Sequence, residues 1–330
     1  MNKKENNPRR EFVKKMAGLP LLAAFPGSLL NDTGNTVSFD QKEINGKIQQ
    51  GKLGNLSITR MIMGCNQISG YAHARDLIYA NALFKAYNTD EKVIETLRIG
   101  EMSGINTAFM TNTNYPLFNK YKERYNGKMQ SICQTYLKPN DFLGDIDRAI
   151  GNGANALYIQ GGEADRYVKE GKVAKLAEAV EYIRKKGYMA GIGAHALEVI
   201  KTCEREGIPA EFYVKTFHHD NYWSAHPMEQ RVEFSVDAVR SKDHNQIHDN
   251  MFDLFPLKTA EYMKTIKKPW IAFKVLAGGA IMPEDGFRYA FANGADFICV
   301  GMFDFQITNN VNSVIKVLGD IGKREREWYS

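Results

Sequence analysis

The chain has 330 residues, 44% of them apolar, enough for one large barrel or two smaller domains around a sizeable core. Its net charge of +5 is concentrated at the start: residues 1–30 hold six Lys or Arg against two Asp or Glu, a net of +4, which leaves +1 for the remainder. The basicity therefore does not point to nucleic acid, and no interior run approaches the about 20 apolar residues that stable membrane insertion requires, so the mature chain is expected to be soluble.

In chain order, Pro8-Arg9-Arg10-Glu11-Phe12-Val13-Lys14 and the short apolar stretch Met16–Leu30 resemble a twin-arginine export signal. Residues 1–30 are accordingly expected to be a signal peptide recognised by the twin-arginine export machinery, with the protein periplasmic or otherwise exported. Polar, turn-rich residues 31–52 read as a linker. From residue 53 the pattern becomes regular. Strands are predicted at Arg60–Gly64, Thr107–Thr111, Met129–Thr135, Ala156–Gln160, Met189–Ala194, Glu211–Thr216, Trp270–Leu276 and Asp296–Gly301. Helices are predicted near 90–103, 116–125, 140–151, 172–187, 196–206, 257–267, 284–293 and 308–320. Thr89 before Asp90-Glu91 is a cap signal, and Gly104 a stop. Eight strands alternating with eight helices specify a single α/β domain, a closed (βα)8 TIM barrel over residues 53–330.

Cys65, Cys133, Cys203 and Cys299 are widely spaced and form no CxxC pair, so neither a disulfide framework nor a zinc knuckle is indicated. Two connections are long for this fold, Cys65–Asn88 after the first strand and Phe217–Pro256 after the sixth. Both leave a strand's carboxyl end, where a barrel of this type builds its active site.

The seven histidines, His73, His195, His218, His219, His226, His244 and His248, all follow strands one, five and six. His195 closes the run Tyr188–Ala194, and Lys215, His218, His219 and Asp220 close the next. His218-His219-Asp220 and His244-x-x-x-His248-Asp249, with Glu163 as an oxygen donor, resemble parts of a divalent-metal site. A metal there would polarise a carbonyl or acidify a water. Lys215 and Lys274 each stand in an otherwise apolar strand, where an inward lysine serves as base, enolate stabiliser or Schiff-base former, or pairs internally with Glu163 or Asp304. Gly278, Gly279 and Gly301 follow strands seven and eight, positions from which backbone amides can hold a cofactor phosphate. Tyr71, Asn112, Tyr222 and Trp223 are expected to line a sugar-sized pocket.

Met61-Ile-Met-Gly64-Cys, Thr89–Leu97, Gly104-Ile-Asn-Thr107, Thr113-Asn-Tyr115, Asp145–Gly161, Val275–Ile281 and Phe287–Val311 together resemble the aldo-keto reductase superfamily. The resemblance implies an NAD(P)-dependent carbonyl reduction with Tyr115 as acid, supported by aspartate, lysine and histidine. This chain departs from that set. The aspartate position holds Met110 or Thr111, the lysine position Gln134 or Thr135, the histidine position Gln160 or Gly161, and Gly301-Met-Phe-Asp304 lacks the basic residue expected for a cofactor phosphate. The leading expectation is proton transfer on a small polyol or sugar-derived carbonyl compound, of lyase, hydratase or isomerase type. His195 or His218 would be the base, with Lys215 or Lys274 as enolate stabiliser. An NAD(P)-dependent oxidoreductase and a non-catalytic ligand-binding barrel are the alternatives.

Overall fold

The computed structural model describes residues 43–73, 77–235 and 253–330. A hairpin of β1 (Gln50–Leu53) and β2 (Leu56–Thr59) precedes β3 (Met61–Met63), α1 (Ala80–Tyr87), α2 (Asp90–Met102), β4 (Thr107–Met110), α3 (Tyr115–Tyr125), β5 (Gln130–Thr135), α4 (Gly144–Gly151) and β6 (Ala156–Ile159). Then follow α5 (Gly161–Lys169), α6 (Val173–Lys185), β7 (Met189–Ala194), α7 (Leu197–Arg205), β8 (Phe212–Thr216), α8 (Pro256–Met263), β9 (Trp270–Phe273), α9 (Pro283–Ala292), β10 (Phe297–Val300) and α10 (Asp304–Asp320). Strands β3 to β10 pair in parallel and in sequence order, and β10 returns to β3, closing the barrel. Its eight strands lie within the segments predicted from sequence.

Each strand is buried on both sides, so it reads as a nearly continuous apolar run, while the pleat sends alternate residues to two different cores. Ile62, Phe109, Ile132, Tyr158, Phe212, Val214, Ile271 and Phe297 fill the barrel interior. Met61, Met63, Met110, Leu157, Ile159 and Tyr213 instead pack in the shell with the surrounding helices. This alternation decides which way every candidate side chain faces.

The helix signals act as read. Thr89 accepts from the Lys92 amide at 3.3 Å, Asp90 and Glu91 occupy the first turn of α2, and Gly104 leaves it at φ +92. Two features differ from the sequence expectation. The hairpin begins inside the segment read as linker; its Leu53 and Ile58 join the interior core and stopper the amino-terminal end of the barrel. Strands of four residues turning at Gly54-Asn55 are too short to show an alternating pattern. Helices α1 and α5 also lie outside the predicted spans, and among the described residues no helix is long and apolar enough to cross a membrane.

The segment after α10 crosses beneath the barrel. Arg326 and Asp296, both buried, meet at 2.7 Å, and the same guanidinium donates to the carbonyls of Gly294, Ile266 and Lys268. Arg324 stacks 3.2 Å from the Trp328 ring centroid, with Arg60 on the same ring at 3.8 Å. Truncating Arg326 to alanine strands a buried carboxylate and is expected to cost about 3 kcal/mol or more in urea unfolding. A loss within about 0.5 kcal/mol would contradict this role for the pair.

Candidate functional site

Strand β7 brings His195 to the carboxyl-terminal mouth. Its Gly191 and Gly193 lack inward side chains, and a Cβ on Gly193 would lie 2.7 Å from the Gly161 nitrogen, so the turn into α5 can press against it. Gly161 in turn makes room for the imidazole: a Cβ there would stand 3.0 Å from His195 Cε1. Asp165, on the first turns of α5, receives three N–H groups. These come from the His195 amide at 3.1 Å, the Ala196 amide at 3.0 Å and His195 Nδ1 at 2.7 Å. Both residues are 5% exposed on their side chains. A carboxylate can only accept, so Nδ1 carries the proton and Nε2 is left as the lone-pair nitrogen. Among the described residues Nε2 makes no hydrogen bond.

Burial first, then the nearby Lys274 ammonium, pushes the His195 pKa down to about 4; Asp165 opposes the shift and Lys215 adds to it. The imidazole is thus neutral at physiological pH. Phe273 packs edge-on to it at 5.5 Å. Strand β9 ends at Phe273 rather than at Leu276, because Lys274 turns into the left-handed region at φ +58. Non-glycine residues adopt that conformation only where their surroundings impose it, as functional turns often do.

Lys215 does not share this mouth. Its register partners Ala194 and Ala272 belong to the shell, and so does Lys215, fully buried. Its Nζ donates to the Thr216 carbonyl at 2.8 Å and to Asp253 Oδ1 at 3.3 Å, and Thr259 of α8 donates to the same oxygen. Its partner is therefore Asp253, not Glu163 or Asp304. His218 is likewise occupied: Nδ1 donates to the His219 carbonyl at 2.9 Å, and Nε2 accepts from the Asp253 amide at 2.9 Å. Burial holds it below the ordinary histidine pKa. These contacts join the two ends of the long connection after β8.

The described residues read as metal ligands have other partners. His219 meets Asp285 at 3.1 Å, Asp220 forms a two-pronged pair with Arg231, and Glu163 pairs with Arg166 at 2.7 Å. Among the described residues no three His, Cys, Asp or Glu side chains gather into a metal-binding group; His244, His248 and Asp249 lie outside those residues. Tyr115 is fully buried in the shell, its hydroxyl 3.0 Å from Ser131, so it does not face the mouth. Asn112 is tied to the Asp145 carbonyl and to Asn152; Tyr222 packs against His218, while Tyr71 and Trp223 stand exposed at the rim. A surface depression of about 500 Å³ bounded by Glu204 and Lys268 lies at the opposite, amino-terminal end, and its charges are mutually paired.

Of the glycines read as phosphate-holding, Gly279 donates its amide within its own turn. In the turn after β9, the amides of Ala277, Gly279, Ala280 and Ile281 are all donated to carbonyls of that turn. The Gln67 side chain is seated against Gly301, where a Cβ would be 1.7 Å from its Oε1. The first residue of α10 is Asp304, whose carboxylate binds Tyr87 at 2.6 Å and Lys92 at 3.1 Å.

No family model matches this sequence, and no curated protein matches it. Solved structures do. One, described as a "putative aldo-keto reductase" from Pseudomonas aeruginosa, aligns with a TM-score of 0.57 at 11% identity, covering 83% of this chain and 98% of its own. A second, also described as the "putative aldo-keto reductase" of that organism, gives 0.54 at 11% identity, covering 83% and 99%. At that identity the likeness is one of fold, and it agrees with the eight-stranded parallel barrel.

Sequence reasoning reached His195 and Lys274 but missed Asp165, which lies 30 residues before its partner with no local motif joining them. It also missed Asp253. Because burial lowers the pKa of both His195 and His218, the unfolded chain binds more protons than the folded one below the ordinary histidine value of about 6.5. Stability is therefore expected to be complete above that pH and to fall as acid approaches pH 4. Urea midpoints at pH 7 and pH 5 check this, and the His195→Gln variant should show a smaller difference between them.

Proposed function

We propose that this chain is an acid–base enzyme of lyase or isomerase type acting on a small hydroxy-carbonyl compound derived from a sugar or polyol. The observation that carries the proposal is the buried Asp165–His195 pair: a carboxylate that fixes the imidazole tautomer and leaves Nε2 as a base at the barrel mouth. His195 Nε2 would take the proton from the carbon beside the substrate carbonyl, and the electron pair would move onto the carbonyl oxygen. Developing negative charge raises the basicity of His195 as the proton arrives, which offsets its low starting pKa. Lys274, held at the same mouth by the left-handed turn after β9, would stabilise the enolate oxygen. In an isomerisation the imidazolium, steadied by Asp165, returns the proton to the former carbonyl carbon while the adjacent hydroxyl passes its proton to the former carbonyl oxygen; in an elimination it gives the proton to a hydroxyl departing from the next carbon.

The twin-arginine-like leader supports action outside the cytoplasm on a chain exported after folding. A second reading, nicotinamide-dependent carbonyl reduction, draws on the description of the neighbours. Against it stand the Gln67 side chain seated on Gly301 and the shell position of Tyr115. It predicts consumption of reduced nicotinamide with a carbonyl substrate.

Incubation in D2O with two-carbon to six-carbon hydroxy-aldehydes and hydroxy-ketones, followed by proton NMR, tests the leading reading. The wild type is expected to exchange the proton beside the carbonyl of its substrate. His195→Gln should slow exchange about a hundredfold or more. Asp165→Asn should also slow it, because the amide can present an N–H and favour the wrong tautomer. Exchange that proceeds unchanged in His195→Gln would sink the assignment.

A further inference from the structure

The barrel mouth holds a second polar feature that the histidine reading does not use. Inward positions of β5 and β6 carry Gln134 and Tyr158, and Tyr136 continues the inward alternation just beyond β5. The buried Tyr158 hydroxyl donates to Gln134 Oε1 at 2.8 Å, and Gln134 Nε2 donates to the Tyr136 hydroxyl oxygen at 2.7 Å. Reversing the Gln134 amide would strand the Tyr158 proton beside Phe109 in the apolar interior, so burial selects the observed direction. The chain of donors ends at half-buried Tyr136, whose own O–H has no acceptor among the described residues.

We infer that Tyr136 is the hydrogen-bond donor that receives the carbonyl or enediolate oxygen of the ligand, aimed and polarised through Gln134 by Tyr158. The ligand class follows from the pairing of groups at one mouth: β5 and β7 flank β6, so Tyr136 and His195 approach a shared space from neighbouring positions. An oxygen held by Tyr136 and an adjacent carbon acid within reach of His195 describe an α-hydroxy-carbonyl compound; this identification rests on the proton-transfer reading above. Burial, followed by the nearby Cys65 thiol, pushes the Tyr136 pKa up to about 12, so the phenol keeps its proton at neutral pH. Donors linked in series polarise one another, which strengthens the last bond of the chain. Tyr115, the tyrosine that the sequence resemblance singles out, is spent on Ser131 in the shell, and the end of β5 supplies the phenol at the mouth.

The test is calorimetric titration of the full chain with N-hydroxyglycolamide, a stable mimic of a three-carbon enediolate. Wild type is expected to bind it. Tyr136→Phe should weaken binding about tenfold or more. Gln134→Glu is the sharper variant, since it preserves size but offers only acceptors. The Tyr136 hydroxyl would then donate to the introduced carboxylate and no longer present its proton to the ligand, so affinity should fall comparably while the melting midpoint stays near wild type. Tyr115→Phe serves as the control and should bind as wild type does. Unchanged affinity in Tyr136→Phe or Gln134→Glu, or no binding by wild type at millimolar probe, overturns the inference. Because binding is read without turnover, failure of the donor chain and failure of the proton-transfer reading are seen separately.

Discussion

The three N–H groups that converge on Asp165 are the constraint on which the mouth of this barrel depends. One carboxylate anchors the main chain at the start of α7 through the amides of His195 and Ala196, and it fixes the imidazole through Nδ1. The neighbouring elements are shaped to permit it. Glycines at 161 and 193 let α5 and β7 approach closely enough for a helix residue to reach a strand end, and any larger residue at 161 would meet the ring. Local backbone, tautomer and charge state are therefore set by one group, and the chemistry available to His195 follows from them.

The other conspicuous charges secure the roof. Lys215, Asp253, His218 and Thr259 bind the beginning of the long connection after β8 to its end, and Arg231 fastens the middle to Asp220 and to the carbonyls of His226 and Leu254. A buried lysine paired with a buried aspartate contributes little net stability but makes the loss of either partner costly. That cost is useful in a loop of this length, because it specifies one closed arrangement of the loop ends rather than many.

The barrel was legible because eight apolar runs separated by capped helices admit few other topologies, and Thr89, Gly104 and the glycines before β7 and β8 act as punctuation in the structure as they do in the sequence. The hairpin was not, since strands of four residues carry too little periodicity. Among the candidate residues the pleat was the missing information. Lys215 and Lys274 look alike as lysines among apolar neighbours and share the shell parity of Ala272, yet Lys215 stays in the shell while the left-handed turn at Lys274 takes it out at the mouth. Tyr115 and Tyr136 show the same limit: a fragment resemblance drew attention to the first, whereas side-chain parity places the second inward. His218 resembles a ligand in sequence only because its backbone partners come from Asp253, 35 residues away, and from its neighbour's carbonyl.

The central claim is that His195 is a neutral, Asp165-bound imidazole with Nε2 available as a base. Nitrogen-15 NMR of histidine-labelled protein, assigned with the His195→Gln variant, reads this directly across a pH titration. A neutral ring protonated on Nδ1 at pH 7, gaining its second proton only near pH 4, is the expected result. A ring protonated on Nε2 at pH 7, or one that titrates near the ordinary value of about 6.5, would contradict it.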